Sequence, residues 1–399
     1  MTNTAQHPDR QRPPRCRIFA MAPNSWSGQW MNRQQILSRL AAHHDILYST
    51  GPWTVWDRNS SSFQETPGRG SFTSQDGVTV DAAPHWLLRW PTVPAYDRVV
   101  RALAVRRWRR KLARMGTGPL VAYLFHPAFL PFAIALRADR IVYSPYDLFR
   151  NMPGWNPESA ALERELLRVA DAVIATSEPT RATLQAESAT TVHCVPNGVD
   201  RQIFLDRQDG TIVDVLADIP RPRIGYVGSL NRKVDLPLIA WLAQREPDWQ
   251  FVLVGPLGSF DPVTTAALAQ IRQQSNVHLP GSKDRAALPD YIASLDVALM
   301  CYRSGTWMDS AYPLKLHEYL ASGPPVVSTD LPTVRPFSGV VATARSNEEW
   351  HAQIKEALLH GTPGTPAERR AVASANTWEH RVKDIEAILA GICAESPAS

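Results

Sequence analysis

Short apolar runs and longer amphipathic stretches follow one another along this 399-residue chain in two successive series. The apolar runs have the length of buried strands, and the stretches between them repeat apolar residues at the spacing of helices packed on one face. The predicted strands of the first series are CRIFAMA, HDILYST, PLVAYLF, RIVYS, DAVIATS and TTVHCV, and those of the second are RPRIGYVGSL, WQFVLVG, NVHLPG, VALMCY and PVVST. Strands that alternate with helices predict an α/β fold with two parallel sheets.

Each series predicts a domain of its own, because a chain of this length exceeds one ordinary hydrophobic core. The predicted divisions are a disordered lead at 1–14, a first Rossmann-like domain at 15–205, a linker at 206–222, a second Rossmann-like domain at 223–375, and a helix at 376–394 that crosses back to the first domain. The tail ESPAS is also expected to be disordered, and the polar stretch 56–94 gives no pattern from which regular structure can be predicted. A cleft is expected where the carboxyl ends of the two sets of strands face each other.

The composition excludes several classes of protein. A hydrophobic fraction of 44% and a net charge of +4 are those of a globular protein and argue against a general nucleic-acid binder. The chain has no run long and apolar enough to span a bilayer, and its polar start lacks the apolar segment of a signal peptide. Its four cysteines are scattered, without metal-ligand or redox spacing, so we expect a protein of the reducing cytoplasm with no metal and no bound cofactor.

One segment concentrates positive charge. The sequence RVVRALAVRRWRRKLAR, from Arg98 to Arg114, carries eight cationic residues and no acidic one. At helical spacing it also contains an apolar stripe, formed by Val100, Leu103, Ala104, Trp108, Leu112 and Met115. Such a helix can lie on an anionic leaflet, which would make the protein peripheral on the inner face of the cytoplasmic membrane. The alternative is that the stripe packs on the domain's own sheet.

The segment PLKLHEYLASG predicts a helix over 313–322, with Pro313 in its first turn and Gly323 past its end. Lys315 lies at the positive end of the helix dipole, where a cation is disfavoured, and Glu318 follows one turn later. One interpretation is an i,i+3 ion pair between them, in the weaker of its two orientations. The other is an anion site, in which Lys315 neutralises a phosphate at the helix start and Glu318 accepts hydrogen bonds from neighbouring hydroxyls.

Two loops of the second series supply further candidates for anion binding. In IGYVGSLNRK, Gly228 permits a tight turn and close approach to a ligand, and Arg232 and Lys233 follow it. In PGSKDR, Ser282 and Lys283 follow a predicted strand and are suited to hold a nucleotide base. The first loop alone is more typical of solvated surface, but paired with Lys315 across the same strand edge its two cations would clamp a diphosphate. There is no P-loop, no GxGxxG and no Asp-x-Asp metal motif.

Taken together, PNGVD, VADAVIATSEP, RIGYVGSL, WQFVLVGP, LPDYIASLDVALM and PLKLHEYLASGPPVVST resemble the GT-B glycosyltransferases that use nucleotide sugars. The similarity is to the bacterial teichuronic-acid-type and xanthan glucuronosyltransferase-like branch of the family-4-like enzymes. The resemblance implies that Lys315 contacts the donor diphosphate and Glu318 the ribose, and that Gly28 approaches the donor from the first domain. It also implies a nucleoside-diphosphate sugar, UDP-linked in our expectation, as co-substrate and a glycan or lipid-linked acceptor.

The sequence departs from the family where many members carry a second glutamate, eight residues before the ribose-binding one. Ser310 occupies that position here, so we expect an inverting mechanism with a general base on the acceptor side. Asp147 and His126, which each follow a first-domain strand, are the candidates, and Asp147 is favoured. The alternatives are a helix or turn cap for Asp147 and a core histidine for His126. Trp26 is the candidate for stacking on an acceptor sugar.

Three functions remain open from the sequence. The first is transfer of a sugar from a nucleoside diphosphate to an acceptor. The second is epimerisation of a nucleotide sugar on the same fold, and the third is non-catalytic nucleotide binding in support of another transferase. The basic segment and the tryptophan-rich first domain favour the transferase, because an epimerase needs neither.

Overall fold

The computed structural model describes residues 15–206, 213–361 and 363–394. The predicted lead at 1–14, the tail ESPAS and positions 207–212 of the predicted linker lie outside the described residues. Within them the alternating pattern produces two separate sheets, as predicted.

The first sheet has strand order β3-β4-β2-β1-β5-β6-β7-β8 among the described residues, and every pair is parallel except β3 with β4. Its strands are β1 Arg17–Met21, β2 Asp45–Ser49, β3 Ser71–Gln75, β4 Val78–Ala82, β5 Leu120–Leu124, β6 Arg140–Tyr143, β7 Ala172–Ala175 and β8 Val192–Cys194. The central strand β1 is buried along almost its whole length, which explains why it reads as a continuous apolar run.

The hairpin β3–β4 lies in the stretch 56–94, for which the sequence pattern predicted nothing. Its turn consists of Asp76 and Gly77, both with positive φ (50° and 77°), between the paired residues Gln75 and Val78. Asp-Gly is the residue pair that a tight two-residue hairpin turn requires, so the signal was present in SFTSQDGVTV. It was obscured because both strands carry many polar residues at the edge of the sheet.

The second sheet is parallel throughout, with strand order β11-β10-β9-β12-β13-β14 in the described chain. Its strands are β9 Arg223–Val227, β10 Gln250–Val254, β11 Val277–Gly281, β12 Val297–Met300, β13 Val326–Thr329 and β14 Ala342–Ala344. Strand order reverses between β9 and β12, so the loops after these two strands diverge and leave room for a ligand at their carboxyl ends.

Helices cover both sheets. They are α1 Asn32–Leu40, α2 Ser61–Glu65, α3 Pro94–Leu112, α4 Leu130–Leu136, α5 Pro157–Val169, α6 Glu178–Gln185, α7 Arg201–Phe204, α8 Leu236–Arg245, α9 Pro262–Ile271, α10 Leu288–Ala293, α11 Thr306–Ser310, α12 Lys315–Ser322, α13 Asn347–His360, α14 Pro366–Ala375 and α15 Trp378–Ala394. Local signals set several of their ends. Asp235 caps α8 through a hydrogen bond from the backbone N–H of Leu238, for example.

Helix α3 contains most of the basic segment, and its apolar stripe is not available to a membrane. Val100, Ala104, Trp108 and Leu112 are buried in the first domain's core. The Trp108 ring lies 4.9 Å from that of Phe19 on β1. The prediction that this stripe as a whole contacts a leaflet is therefore wrong, because the first domain covers these four residues. Leu103, which was assigned to the stripe, is exposed. None of the helices in the described ranges has the length and apolarity needed to cross a bilayer.

Helix α15 packs on the first sheet's side of the molecule, although it follows the second sheet in the chain. Trp378, Ile385 and Leu389 join the apolar cluster that contains Ile18 of β1. The backbone N–H of Trp378 donates to the carbonyl of Val199, at the point where the chain first leaves the first domain. The two crossings between the domains therefore lie side by side.

The carboxyl ends of the two sheets face each other across this junction. Ser177, after β7, donates to the carbonyl of Ser310 in the loop region after β12. Asn151, after β6, donates to the carbonyl of Thr306 at 2.9 Å. Loops that follow strands of both sheets therefore form the walls of one cleft.

Asp81 holds the edge of the first sheet to α3, and its removal should destabilise that domain. It is buried, accepts hydrogen bonds from Trp108 Nε1 (2.5 Å) and Ser49 Oγ (2.9 Å), and forms an ion pair with Arg107. Breaking a buried pair from one side costs about 3–5 kcal/mol. We expect Asp81→Ala to lower the midpoint of thermal unfolding by roughly 10 °C. Exposed Glu356→Ala is the control, and equal midpoints for the two variants would contradict this assignment.

Candidate active site

The end of β9 and the start of α12 meet at Gly228. A β-carbon at this position would lie 1.9 Å from Lys315 Cε and 2.3 Å from its Nζ, so the lysine side chain lies directly on the glycine backbone. The same ammonium is 5.0 Å from the centre of the Tyr226 ring. Gly255, after β10, is equally close on the other side, because its β-carbon would lie 2.1 Å from the Gly228 carbonyl oxygen. The turns at Gly228 and Gly255 and the Lys315 ammonium thus form a shallow depression, which we call the cradle.

Helix α12 begins at Lys315, two residues later than predicted, so the lysine is its first helical residue. It ends at Gly323, whose φ of 99° is the left-handed conformation expected after a helix. The ion pair between Lys315 and Glu318, one of the two interpretations of this helix, is not formed. No carboxylate of the described residues lies within ion-pair distance of Lys315. The cation is therefore left at the start of the helix, where an anion would be stabilised.

Glu318 lies one turn deeper in the same cradle. Burial raises the pKa of its carboxyl group to about 7, while Lys315 and Arg285 act in the opposite direction and Asp200 adds to the rise. Within the described chain no group donates a hydrogen bond to this carboxyl group. The Glu318 carboxyl group is consequently a hydrogen-bond acceptor without a donor among the described residues. It lies beside Lys315, which has no ion-pair partner among them.

Lys233 joins the second domain to the first across the cleft. Its Nζ is 3.4 Å from Asp147 Oδ2 and 3.9 Å from the centre of the Trp307 ring. The Arg232 guanidinium lies 5.4 Å from the same ring. Asp147, in the loop after β6, is thus brought beside the cations of the loop that follows Gly228. Sequence reasoning missed Trp307, although it stands in the loop region after β12, at the ligand edge of the sheet.

His126 follows β5 and caps the short turn after it. Its Nδ1 accepts a hydrogen bond from the backbone N–H of Ala128 at 3.2 Å, and its ring lies edge-on to Phe149 at 4.7 Å. Burial lowers the pKa of His126 to about 4, so the ring is neutral at pH 7. With the Nδ1 lone pair engaged, Nε2 carries the proton and offers no lone pair to a hydroxyl. This geometry suits a hydrogen-bond donor better than a base.

The loop after β11 presents a different cation from the one predicted. Ser282 is exposed, and Lys283 lies over the Tyr291 ring at 5.4 Å. Arg285 is the residue that reaches the cleft, where it pairs with Asp200 and lies 4.8 Å from the Trp30 ring. Its place in PGSKDR, two residues beyond Lys283, was the available signal.

The loop after β1 contains two predicted site residues, Gly28 and Trp26, which differ in exposure to solvent. Gly28 is exposed, with φ of 124° and no atom within 4 Å of the position that a β-carbon would take. Trp26 is buried, its Nε1 donates to Asp76 at 3.1 Å, and its ring packs edge-on against Tyr48. The prediction that Trp26 stacks on an acceptor sugar is wrong, because the hairpin β3–β4, unseen in the sequence, covers this ring.

Ser310 lies at the contact between the two domains, and its hydroxyl group stands where a glutamate would place a carboxylate. It is buried, its Oγ donates to the carbonyl of Trp307 at 3.0 Å, and its own carbonyl accepts from Ser177 and Thr180. The neighbouring Asp309 is exposed. Among the described residues, no group of three or more His, Cys, Asp or Glu side chains is placed to hold a metal ion.

Two family models match successive parts of this chain. Residues 66–203 match the model described as Glycosyltransferase Family 4, and residues 221–360 match the model described as Glycosyl transferases group 1. The second match contains the whole cradle, including Gly228, Lys315 and Glu318. The first contains Asp147 and His126.

Named relatives match over shorter segments. A protein of Bacillus subtilis named as a teichuronic acid biosynthesis glycosyltransferase, TuaH, is 32% identical over 142 residues, which are 36% of this chain and 35% of that protein. The alpha-maltose-1-phosphate synthase of Mycolicibacterium smegmatis is 35% identical over 104 residues, 24% of this chain and 27% of its own. The matches thus span about a third of the length of the first relative and about a quarter of the second.

Solved structures match the whole fold. HepE of Anabaena, in complex with UDP and glucose, has a TM-score of 0.70 at 16% identity and covers 94% of this chain and 99% of its own. The sucrose-phosphate synthase of Thermosynechococcus elongatus also has a TM-score of 0.70 at 16% identity, over 96% of this chain and all of its own. Glycosyltransferase family models thus match both halves of this chain, and its fold is that of the GT-B glycosyltransferases.

Proposed function

We propose that this chain transfers a sugar from a UDP-linked donor to a hydroxyl group of a glycan or lipid-linked acceptor, with inversion and without a metal ion. The observation that carries the proposal is the position of Lys315. Its cation lies on the backbone of Gly228 at the start of α12, and no described carboxylate neutralises it. A diphosphate would supply that charge and would accept hydrogen bonds from the free N–H groups of the helix.

The donor would extend from this cradle in two directions. Glu318 would accept hydrogen bonds from the ribose hydroxyls, since its carboxyl group has no donor among the described residues. Arg232 and Lys233 would help to neutralise the diphosphate. The loop with Ser282 and Lys283 would hold the base, with Gly28 approaching from the first domain. UDP is favoured because HepE, which shares the fold, is described in complex with UDP and glucose.

Asp147 would act as the general base. The acceptor oxygen attacks the anomeric carbon, its proton passes to the Asp147 carboxylate, and the bond from that carbon to the diphosphate oxygen breaks. Lys315 stabilises the charge that develops on the departing UDP. Lys233 pairs with Asp147 at 3.4 Å. A diphosphate would compete for Lys233 and so release the carboxylate when the donor is in place.

The relatives bear on the acceptor. TuaH is named for teichuronic acid biosynthesis, which favours a cell-surface glycan assembled at the inner face of the cytoplasmic membrane.

Radiolabelled UDP-glucose and UDP-glucuronic acid, incubated with the protein and a bacterial lipid extract, should yield labelled glycolipid. Interconversion of UDP-sugars without any acceptor would instead indicate an epimerase. UDP binding without product from any extract would favour a non-catalytic partner.

Lys315→Ala should weaken UDP binding by about 10–100-fold, because a charge-assisted hydrogen bond of about 1.5–3 kcal/mol is lost. Calorimetric titration with UDP measures this, and the exposed Lys355→Ala on α13 is the matched control. Unchanged UDP affinity in Lys315→Ala would contradict the anion site.

Turnover of the wild-type protein should persist in EDTA, since cations of the protein neutralise the diphosphate.

UDP affinity should depend on the ionisation of Glu318. Its pKa is about 7 in the free protein, and ribose hydroxyls bind the ionised form more strongly. Below pH 7 the group must lose a proton on binding, so affinity should fall about tenfold between pH 8 and pH 6. Glu318→Gln cannot ionise and should lose only the part that comes from the titration of UDP itself. An identical pH dependence in the two proteins would exclude this role.

Asp147→Asn retains shape but cannot accept a proton, so kcat should fall by about 10²–10⁴-fold while UDP affinity changes little. His126→Asn should cost far less, because its Nδ1 serves a backbone N–H. Lys233→Met controls for loss of the ion pair. The reverse result, with Asp147→Asn active and His126→Asn inactive, would transfer the role to His126.

A further inference from the structure

Large apolar side chains are exposed in one part of the first domain. Trp56, Trp86 and Trp90 are exposed at 62%, 59% and 48% of their surface. Single exposed apolar residues are ordinary on protein surfaces, but tryptophan is highly buried on average, and contiguous exposed apolar patches mark interaction sites. With four neighbours they form what we call the aromatic patch, which comprises Trp56, Trp86, Trp90, Val93, Tyr96, Val99 and Leu103.

Backbone contacts hold the members of the aromatic patch together. The N–H of Val55 donates to the carbonyl of Arg89 at 2.9 Å, and the N–H of Arg89 donates to the carbonyl of Trp53 at 2.7 Å. The loop that carries Trp56 is thereby fixed beside the loop that carries Trp86 and Trp90. One cleft of the surface is lined by Val55, Arg58, Leu88, Trp90, Val93 and Tyr96.

Helix α3 continues the aromatic patch on the face opposite its buried stripe. Tyr96, Val99 and Leu103 follow one another at helical spacing and are exposed. Arg106 and Arg110 extend the same face by two further turns and are also exposed. The acids next to Tyr96 and Trp56 in the sequence are engaged within the protein, because Asp97 pairs with Arg89 and Asp57 accepts from Thr54. The surface around the patch is consequently positive.

The aromatic patch lies at the cleft edge of the first sheet. Helix α3 precedes the parallel strand β5, so it runs against the strands and its start lies at their carboxyl ends. Those are the ends that carry Asp147 and His126. A surface bound to the aromatic patch would therefore lie close to the mouth of the cleft.

We propose that the aromatic patch docks this domain on an anionic lipid bilayer. Tryptophan and tyrosine are favoured at the boundary between headgroups and acyl chains, because their rings are apolar and their N–H and O–H groups remain in polar surroundings. Arg58, Arg98, Arg106 and Arg110 supply the attraction to acidic headgroups. The contact shares Leu103 and the basic residues with the one expected from the sequence. It differs because Val100, Ala104, Trp108 and Leu112 stay in the core and exposed tryptophans take their place.

The test is co-sedimentation of the full chain with vesicles of phosphatidylglycerol and phosphatidylcholine in equal parts, and with vesicles of phosphatidylcholine alone. Binding should require the anionic lipid and weaken with added salt. Trp86→Ser combined with Trp90→Ser should reduce the partition coefficient by about tenfold or more. Leu359→Ser, at an equally exposed residue of α13, should leave it unchanged. Thermal unfolding checks that each variant is folded.

A second pair of variants tests the charge. Arg106→Gln with Arg110→Gln should weaken binding to the mixed vesicles by about fivefold per residue, whereas Lys355→Gln with Lys383→Gln should not.

Equal binding to both kinds of vesicle, or binding insensitive to the tryptophan variants, overturns the proposal. So does a dimer, seen by analytical ultracentrifugation, that the tryptophan variants abolish while no vesicle binding occurs. The assay contains neither donor nor acceptor, so its failure leaves the proposed transferase activity untouched.

Discussion

The close approach of backbone at Gly228 is the constraint on which the cleft depends. A side chain there would occupy the space of Lys315, and one at Gly255 would meet the Gly228 carbonyl. Because both turns lack side chains, the ends of β9 and β10 can lie against the start of α12. That contact fixes the Lys315 ammonium, which has no ion-pair partner among the described residues, at the start of a helix and places Glu318 one turn below it. The second domain therefore presents a positively charged surface to the loops of the first domain.

The fold was largely predictable because its main determinant is local. Parallel strands buried on both faces read as continuous apolar runs, and the helices between them carry their own start and stop residues, as Asp235 does for α8. The prediction failed where burial is one-sided. The hairpin β3–β4 lies at a sheet edge, and its polar strands gave no pattern although its Asp76-Gly77 turn did. The three-residue strand β14 was also missed.

The candidate site was predictable only in the parts that depend on one element. Lys315 and Glu318 share a helix, so their spacing is visible in the sequence. The ion pair between Asp147 and Lys233 joins residues 86 positions apart, and no local pattern reports such a contact. The same limit explains why Trp307 and Arg285 were missed and why Trp26 was misassigned, since burial of its ring depends on a hairpin fifty residues away.

The position of α15 bears on how this chain is made. Ile385 and Leu389 complete an apolar face that begins with Ile18, so this side of the first domain cannot close until both ends of the described chain are present. About 200 residues separate α15 from the end of β8. At a synthesis rate of about 5–20 residues per second, the ribosome needs roughly 10–40 s to supply them. The second domain, whose strands β9–β14 are contiguous in sequence, can complete its fold during that interval. On the ribosome, therefore, the domain synthesised first is the one finished last.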